Sequence, residues 1–247
     1  MTEQIMCGFV GFITKKDNNN FSEDLPKALA TLTHRGPDDS GLFFDEKMGL
    51  GLGHRRLSII DLSAAGRQPM ASDDGKVQIA YNGEVYNSKE IRRILEGYGY
   101  HFRSSTDTEV VLNAYLKWGI DCLKRFVGMF ALALWDGREN RLFLAKDRMG
   151  IKPLYYHLSR GTFLFASELK ALMAFKGFER SLDPDAISLF LHYQYVPAPR
   201  TVFGIRLSFS RAITPFLMEG VLRSVHSGNS RKGTPCQAKG LCGKMKP

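Results

Sequence analysis

Cysteine is scarce in this chain, with four residues (Cys7, Cys122, Cys236 and Cys242) among 247. They are too few and too scattered for a disulfide framework in a protein of this size. Cys236 and Cys242 lie close together, but no histidine follows them at a zinc-ligand spacing, so no metal site is expected. Long apolar runs are missing too. The longest strongly apolar stretch, Phe126 to Trp135, has ten residues, against the ~20 that cross a bilayer. The opening stretch, Met1 to Met6, lacks the basic region and apolar core of a secretory signal. These absences exclude a disulfide-stapled secreted protein and a helical membrane protein, and they make the cytoplasm the expected location.

Acidic residues thin out at one end only. The formal net charge is +9, yet residues 204–247 hold eight Lys or Arg against the single acid Glu219 and so carry +7 of it. A basic tail attracts phosphates nonspecifically. No nucleic-acid fold or interleaved aromatic pattern accompanies it, so no specific nucleic-acid partner is expected. After about Val202 the apolar periodicity weakens and Gly, Ser, Thr, Pro and Lys take over. Little stable core is expected from that tail.

What is present is the makeup of a globular protein, 44% apolar and 24% charged. Strand-like stretches recur. Cys7 to Thr14 is a short β-rich opening. Lys76 to Tyr81 alternates, with Val77, Ile79 and Tyr81 on one face. Phe130, Leu132 and Leu134 alternate with Ala131 and Ala133, the pattern of a strand buried on both faces. Leu142 to Ala145 and Thr162 to Ser167 add two more strands. Helices are interleaved. Asn87 with Glu90 and Thr106 with Glu109 are N-cap and capping-box pairs, and Asp183-Pro184 opens a helix running to His192. Hairpin-like strands mixed with helices predict an α+β chain with layered antiparallel sheets.

Several side chains can carry chemistry. A thiol with a pKa near 8.5 is mostly protonated at neutral pH, whereas an α-amine near 7.7–8.0 is a well-matched base. Were Cys7 the first residue, it would supply both nucleophile and base; otherwise it is a small buried residue in a strand. Arg56, in His54-Arg55-Arg56-Leu57-Ser58-Ile59-Ile60-Asp61, can clamp a carboxylate or make a surface ion pair. Asn82-Gly83 can offer two donors to an oxyanion or form a tight hairpin turn. Asp107 can meet a substrate ammonium or simply favour the first turn of a helix.

Taken in order, the blocks Cys7-Gly8-Phe9-Val10-Gly11, His34-Arg35-Gly36-Pro37-Asp38, Gly53 to Asp61, Gln68-Pro69-Met70, Tyr81 to Asn87, Thr106 to Glu109, Gly128 to Ala131 and Asp147 to Tyr156 resemble the glutamine amidotransferase domain of glutamine-hydrolysing asparagine synthetase, a class II (N-terminal nucleophile) amidotransferase. The likeness covers residues 7–203. It implies a four-layer αββα sandwich with two antiparallel sheets, and L-glutamine as substrate. It also implies roles for matched residues. Cys7 is the nucleophile with its own amine as base, and Asn82 and Gly83 are the oxyanion donors. Arg56 holds the α-carboxylate, Leu57, Ile59 and Ile60 line the pocket, and Glu84 and Asp107 hold the α-ammonium.

The family pattern also sets expectations at the two ends. Residues 1–6 read as an extra leader, with Met6 the expected start. The Ser-Gly-Gly-x-Asp-Ser loop of a synthetase domain does not appear, so residues 204–247 read as a frameshifted or truncated tail. No cofactor is expected in this chain, since ATP and Mg would belong to the missing synthetase domain. A separate synthetase domain or a homo-oligomer is the expected partner. The alternatives are an inactive amidotransferase-like binding module, or the glutaminase domain of another class II amidotransferase.

Overall fold

Gly128–Asp136 forms a strand whose two faces meet different cores. Phe130, Leu132 and Leu134 enter one cluster, while Ala131, Ala133 and Trp135 enter another. A strand buried on both faces requires layers on either side, and the rest of the chain supplies them. The computed structural model describes residues 6–14, 21–58, 61–159, 161–176, 178–198, 200–203 and 214–217.

In chain order the first elements are β1 (Gly8–Thr14), α1 (Phe21–Ala30), β2 (Asp39–Asp45), β3 (Leu50–Arg56), β4 (Met70–Ala71) and β5 (Val77–Val85). Then come α2 (Ser88–Gly97), α3 (Asp107–Trp118), β6 (Gly128–Asp136), β7 (Arg141–Lys146), β8 (Tyr155–Ser159) and β9 (Thr162–Ala166). The last are α4 (Leu169–Leu172), α5 (Pro184–Tyr193) and β10 (Thr214–Leu217). The strands build two five-stranded sheets, ordered β2-β3-β1-β9-β8 and β10-β7-β6-β5-β4, and the strand pairs are antiparallel.

Large side chains of the first sheet (Phe9, Ile13, Leu52, Phe163, Phe165) meet small ones of the second (Ala80, Ala131, Ala133) in the middle layer. That pairing of large against small lets two sheets pack face to face at interior density. Leu25, Ala28 and Leu29 of α1 and Leu172 of α4 cover the outer face of the first sheet. Ile91 and Leu95 of α2 with Val110, Val111 and Ala114 of α3 cover that of the second. The order is helix, sheet, sheet, helix, the expected αββα sandwich. One polar tie crosses the middle: the fully buried His54 donates from Nε2 to the Tyr81 carbonyl at 2.9 Å, joining β3 to β5.

Three local expectations change. Asn82 and Gly83 neither end a strand nor make a hairpin turn; they lie inside β5, paired with Ala131 and Phe130. Asn87 precedes α2 but does not cap it through its side chain. Its amide instead holds the start of β6, donating to Arg125 O at 3.0 Å and accepting from Val127 N at 3.0 Å. Glu109 does not close a capping box on Thr106; its carboxylate takes Arg103 N and Ser104 N at 2.8 and 2.7 Å. The Thr106 and Asp183 caps form as expected. Strands β2, β3 and β8 and helix α1 go beyond the elements that periodicity suggests. Of the basic tail, only the backbone of Thr214–Leu217, paired with β7, belongs to the described residues.

Candidate active site

Cys7 lies one residue ahead of β1, at the edge where the two sheets open. Because β1 and β3 run antiparallel with Gly8 opposite Arg55, the end of β3 is brought beside the cysteine. Leu57 N donates to Cys7 Sγ at 3.3 Å. Arg35, following α1, donates from Nε to Cys7 O at 3.0 Å and from Nη1 to Glu168 at 2.9 Å. The start of β1 is thus held by a hydrogen bond from a paired arginine. Burial pushes the Cys7 thiol up, while the Leu57 N–H, Arg56 and Arg35 pull it back. Such a thiol needs a base to become a nucleophile at neutral pH.

A cavity of about 500 Å³ opens at Cys7. It brings together residues from both sheets: Arg56 at the end of β3 and Leu57 just after it, Tyr81 to Glu84 on β5, Met129 on β6, and Thr106 to Thr108 at the start of α3. Of the sequence-predicted site residues, Cys7, Arg56, Leu57, Asn82, Gly83, Glu84 and Asp107 all line it. Ile59 and Ile60 lie outside the described residues.

Each polar group has a stated position. Arg56 follows His54 by two residues and shares its face of β3. Its Nη1 donates to Ser63 O at 2.9 Å and its Nη2 to Asp61 O. A Cβ on Gly66 would stand 2.1 Å from Nη2, so a larger residue there would push the guanidinium out of this position. Two of five guanidinium N–H groups are thereby used for positioning. Asp107 opens α3 and accepts from Tyr81 Oη and Val85 N, both at 2.9 Å and both on Oδ2. Burial raises its carboxyl above the usual range, so an arriving cation would be favourably paired. Asn82 is buried, and among the described residues its Nδ2 has no hydrogen-bond partner. An orphaned amide donor at 2% exposure costs about 1–3 kcal/mol unless something arrives to accept from it.

Sequence reasoning left other lining residues without a role. Gln68 accepts from Tyr81 N at 2.7 Å and donates to Thr108 Oγ1 at 3.2 Å. It extends the edge of β5 where its pairing with β4 stops at Ile79. Lys152 also lines the cavity, with Nζ 2.7 Å from Met6 Sδ. Both stand within the quoted motif blocks, which were the only sequence signal for them.

The αββα sandwich thus carries a cysteine just ahead of the central strand of its first sheet, at the mouth of the cavity. A family model described as "Glutamine amidotransferase domain" matches residues 6–214, and the chain belongs to that family. It is 36% identical over 216 residues to a putative asparagine synthetase [glutamine-hydrolyzing] 2 of Methanocaldococcus jannaschii, covering 80% of this chain and 41% of that protein. It is 40% identical over 200 residues to asparagine synthetase [glutamine-hydrolyzing] 1 of Bacillus subtilis, covering 80% of this chain and 31% of the relative. The chain thus spans less than half the length of either. A solved glutamine phosphoribosylpyrophosphate amidotransferase from B. subtilis shares the fold at TM-score 0.58 and 20% identity, over 68% of this chain and 43% of that one.

Proposed function

We propose that this chain is the glutaminase unit of a glutamine-hydrolysing asparagine synthetase. The observation that carries the reading is Asn82 Nδ2, a buried donor on the wall of the Cys7 cavity that finds no partner among the described residues. Beside it, Gly83 brings a backbone N–H to the same wall. Glutamine is a zwitterion at its α-carbon, so it calls for a cation and an acid on opposite sides. Arg56 supplies the first; Glu84 and Asp107 supply the second.

In this mechanism the free α-amine of Cys7 accepts the thiol proton, and Sγ attacks the side-chain amide carbon. Asn82 Nδ2 and Gly83 N–H donate to the resulting oxyanion. The tetrahedral intermediate collapses, the C–N bond breaks, and the α-ammonium returns its proton to the leaving ammonia. Water, deprotonated by the same amine, then hydrolyses the glutamyl thioester to glutamate and restores the thiol. The amine can act only when the Met6–Cys7 peptide bond is absent. With that bond intact, the cavity would bind glutamine without turning it over, which is the second reading.

The ammonia passes to an ATP-dependent synthetase unit, and ATP and Mg²⁺ serve that unit rather than this reaction. The test is glutamate release from glutamine by the chain beginning at Cys7. Turnover is expected without ATP or Mg²⁺, and Cys7→Ala should abolish it. Equal rates in the Cys7→Ala protein would sink the proposal.

A further inference from the structure

Among the described residues, Lys152 is the one cation on the cavity wall that the mechanism above leaves unused. The residue is 6% exposed, and its Nζ, part-buried, rests 2.7 Å from Met6 Sδ. A thioether is a weak acceptor and a poor partner for a part-buried ammonium. Among the described residues Lys152 makes no ion pair, whereas Arg35, the other cation against the start of β1, is paired with Glu168. Arg56 is engaged by the carbonyls of Ser63 and Asp61 and awaits a substrate carboxylate. Lys152 therefore stands against Met6 with no ion pair of its own among the described residues, although the carboxylates of Glu84 and Asp147 face it.

The chain places it there deliberately in the physical sense that one carboxylate folds the whole loop. Asp147 Oδ1 accepts from Met149 N and Ile151 N at 3.0 and 3.1 Å. Its Oδ2 accepts from Lys152 N and Phe130 N, both at 3.2 Å. Gly150 makes the turn at φ +69°. The loop is thereby fastened to β6 at Phe130, the residue opposite Gly83. A part-buried ammonium that makes no ion pair among the described residues is held there at a cost, so its place beside the cysteine calls for a functional account.

We infer that Lys152 is a positioning residue for the chemistry of Cys7: its ammonium keeps the freed α-amine unprotonated and favours the thiolate. The inference rests on the glutaminase reading for its mechanism, but its charge effect on Cys7 can be read separately. Arg35, Arg56, Asp107 and Lys152 are the charged groups that face Cys7, and Arg35, Glu84 and Asp147 with Cys7 itself face Lys152. Burial, reinforced by Arg35, lowers the Lys152 ammonium from its ordinary value. Within 4–6 Å a like charge lowers an amine pKa, and an opposite charge lowers that of a thiol. Both act in the same direction on the pH profile.

The experiment uses the full chain beginning at Cys7, with Lys152→Met, Lys152→Gln and Lys152→Arg. The acidic limb of kcat/KM for glutamine should move upward by about one pH unit in Lys152→Met and Lys152→Gln, with KM little changed. Lys152→Arg should keep the parent profile. In parallel, iodoacetamide alkylation of Cys7, followed by peptide mapping against pH, reads the thiol without glutamine turnover. Its midpoint should rise with Lys152→Met even if glutamine is not a substrate, in which case the glutaminase reading falls and this inference stands. An unmoved alkylation midpoint in both neutral variants overturns it. A loss of kcat equal at every pH, or a change confined to KM, also overturns it. Methionine and glutamine introduce no buried charge, and a variant that melts with the parent protein answers the question of folding.

Discussion

Asn82 is the residue at which structure and chemistry meet most directly. Its Nδ2 is buried with no partner among the described residues, so its removal relieves the folded chain of an unsatisfied donor while depriving the transition state of one. We expect Asn82→Ala to lower kcat by about 10²–10³-fold, with thermal stability unchanged or slightly raised. Steady-state kinetics alongside a melting curve checks both halves; a large loss of stability would show that the amide is structural. Gly83 is the contrasting case. A Cβ there would stand 2.4 Å from Met129 O and 2.6 Å from Phe130 Cα, so glycine is required by the backbone of β6. Both residues were legible in the sequence as a pair with a double meaning. Nothing local to Asn-Gly separates a turn from a strand interior. The pairing of β5 with β6 makes that choice.

At the level of elements, α3 couples folding to the site most closely. Thr106 caps it by accepting Glu109 N at 3.4 Å, and Ser104 Oγ shares a hydrogen bond with Thr106 Oγ1 at 2.8 Å. Asp107 is the first residue of the helix, so the cap also orients a carboxylate of the cavity. Thr106→Ala should cost about 1 kcal/mol and lower Tm by about 2–4 °C in a chain of this size. It should also raise KM for glutamine more than it changes kcat, because the Asp107 end of the helix frays first. Calorimetry and kinetics on the same preparation test this, and an unchanged KM would separate the cap from binding. The caps at Thr106 and Asp183 were legible because their signals are local. Asn87 misled because a distant segment, Arg125 and Val127, outcompetes its own helix for the side-chain amide. Strand β3 was illegible for a related reason. Leu50-Gly51-Leu52-Gly53 has little strand propensity of its own, and it becomes a strand because β1 and β2 flank it on both sides.

For the molecule as a whole, stability hangs on the contact between the sheets, and His54 makes that contact sensitive to pH. Burial drops its imidazole from 6.5 to about 4, so it is neutral in the folded chain while the unfolded chain takes up a proton below pH 6.5. Where the unfolded state binds more protons, stability rises with pH. Stability is therefore lost as pH falls from about 6.5 to about 4, and the loss flattens below that. At about 1.4 kcal/mol per pH unit the total is about 3 kcal/mol. Urea titrations between pH 7 and 4 measure it, with His54→Asn as the comparison; an identical slope in the variant would assign the effect elsewhere. Tyr81, whose carbonyl accepts from His54, also donates its hydroxyl to Asp107. The inter-sheet tie and the cavity wall thus share one residue.

The alternation of residues 130–134, the one-faced pattern of Val77, Ile79 and Tyr81, and the ordered motif blocks were determined by the sequence itself. Side-chain direction repeats every two residues along a strand whatever it packs against, and motifs are contiguous by nature. The two-sheet αββα architecture followed from those blocks by resemblance, and the packing of Ala80, Ala131 and Ala133 against Phe9 and Phe165 carries it out. Only the tertiary structure decided that Asn82-Gly83 runs through a strand, that Gln68 completes the edge of β5, and that Lys152 comes to rest against Met6. Each of those outcomes joins residues far apart in the chain. Their proximity is set by how two sheets stack and by where one buried carboxylate, Asp147, gathers its backbone donors, which no local pattern in the sequence encodes.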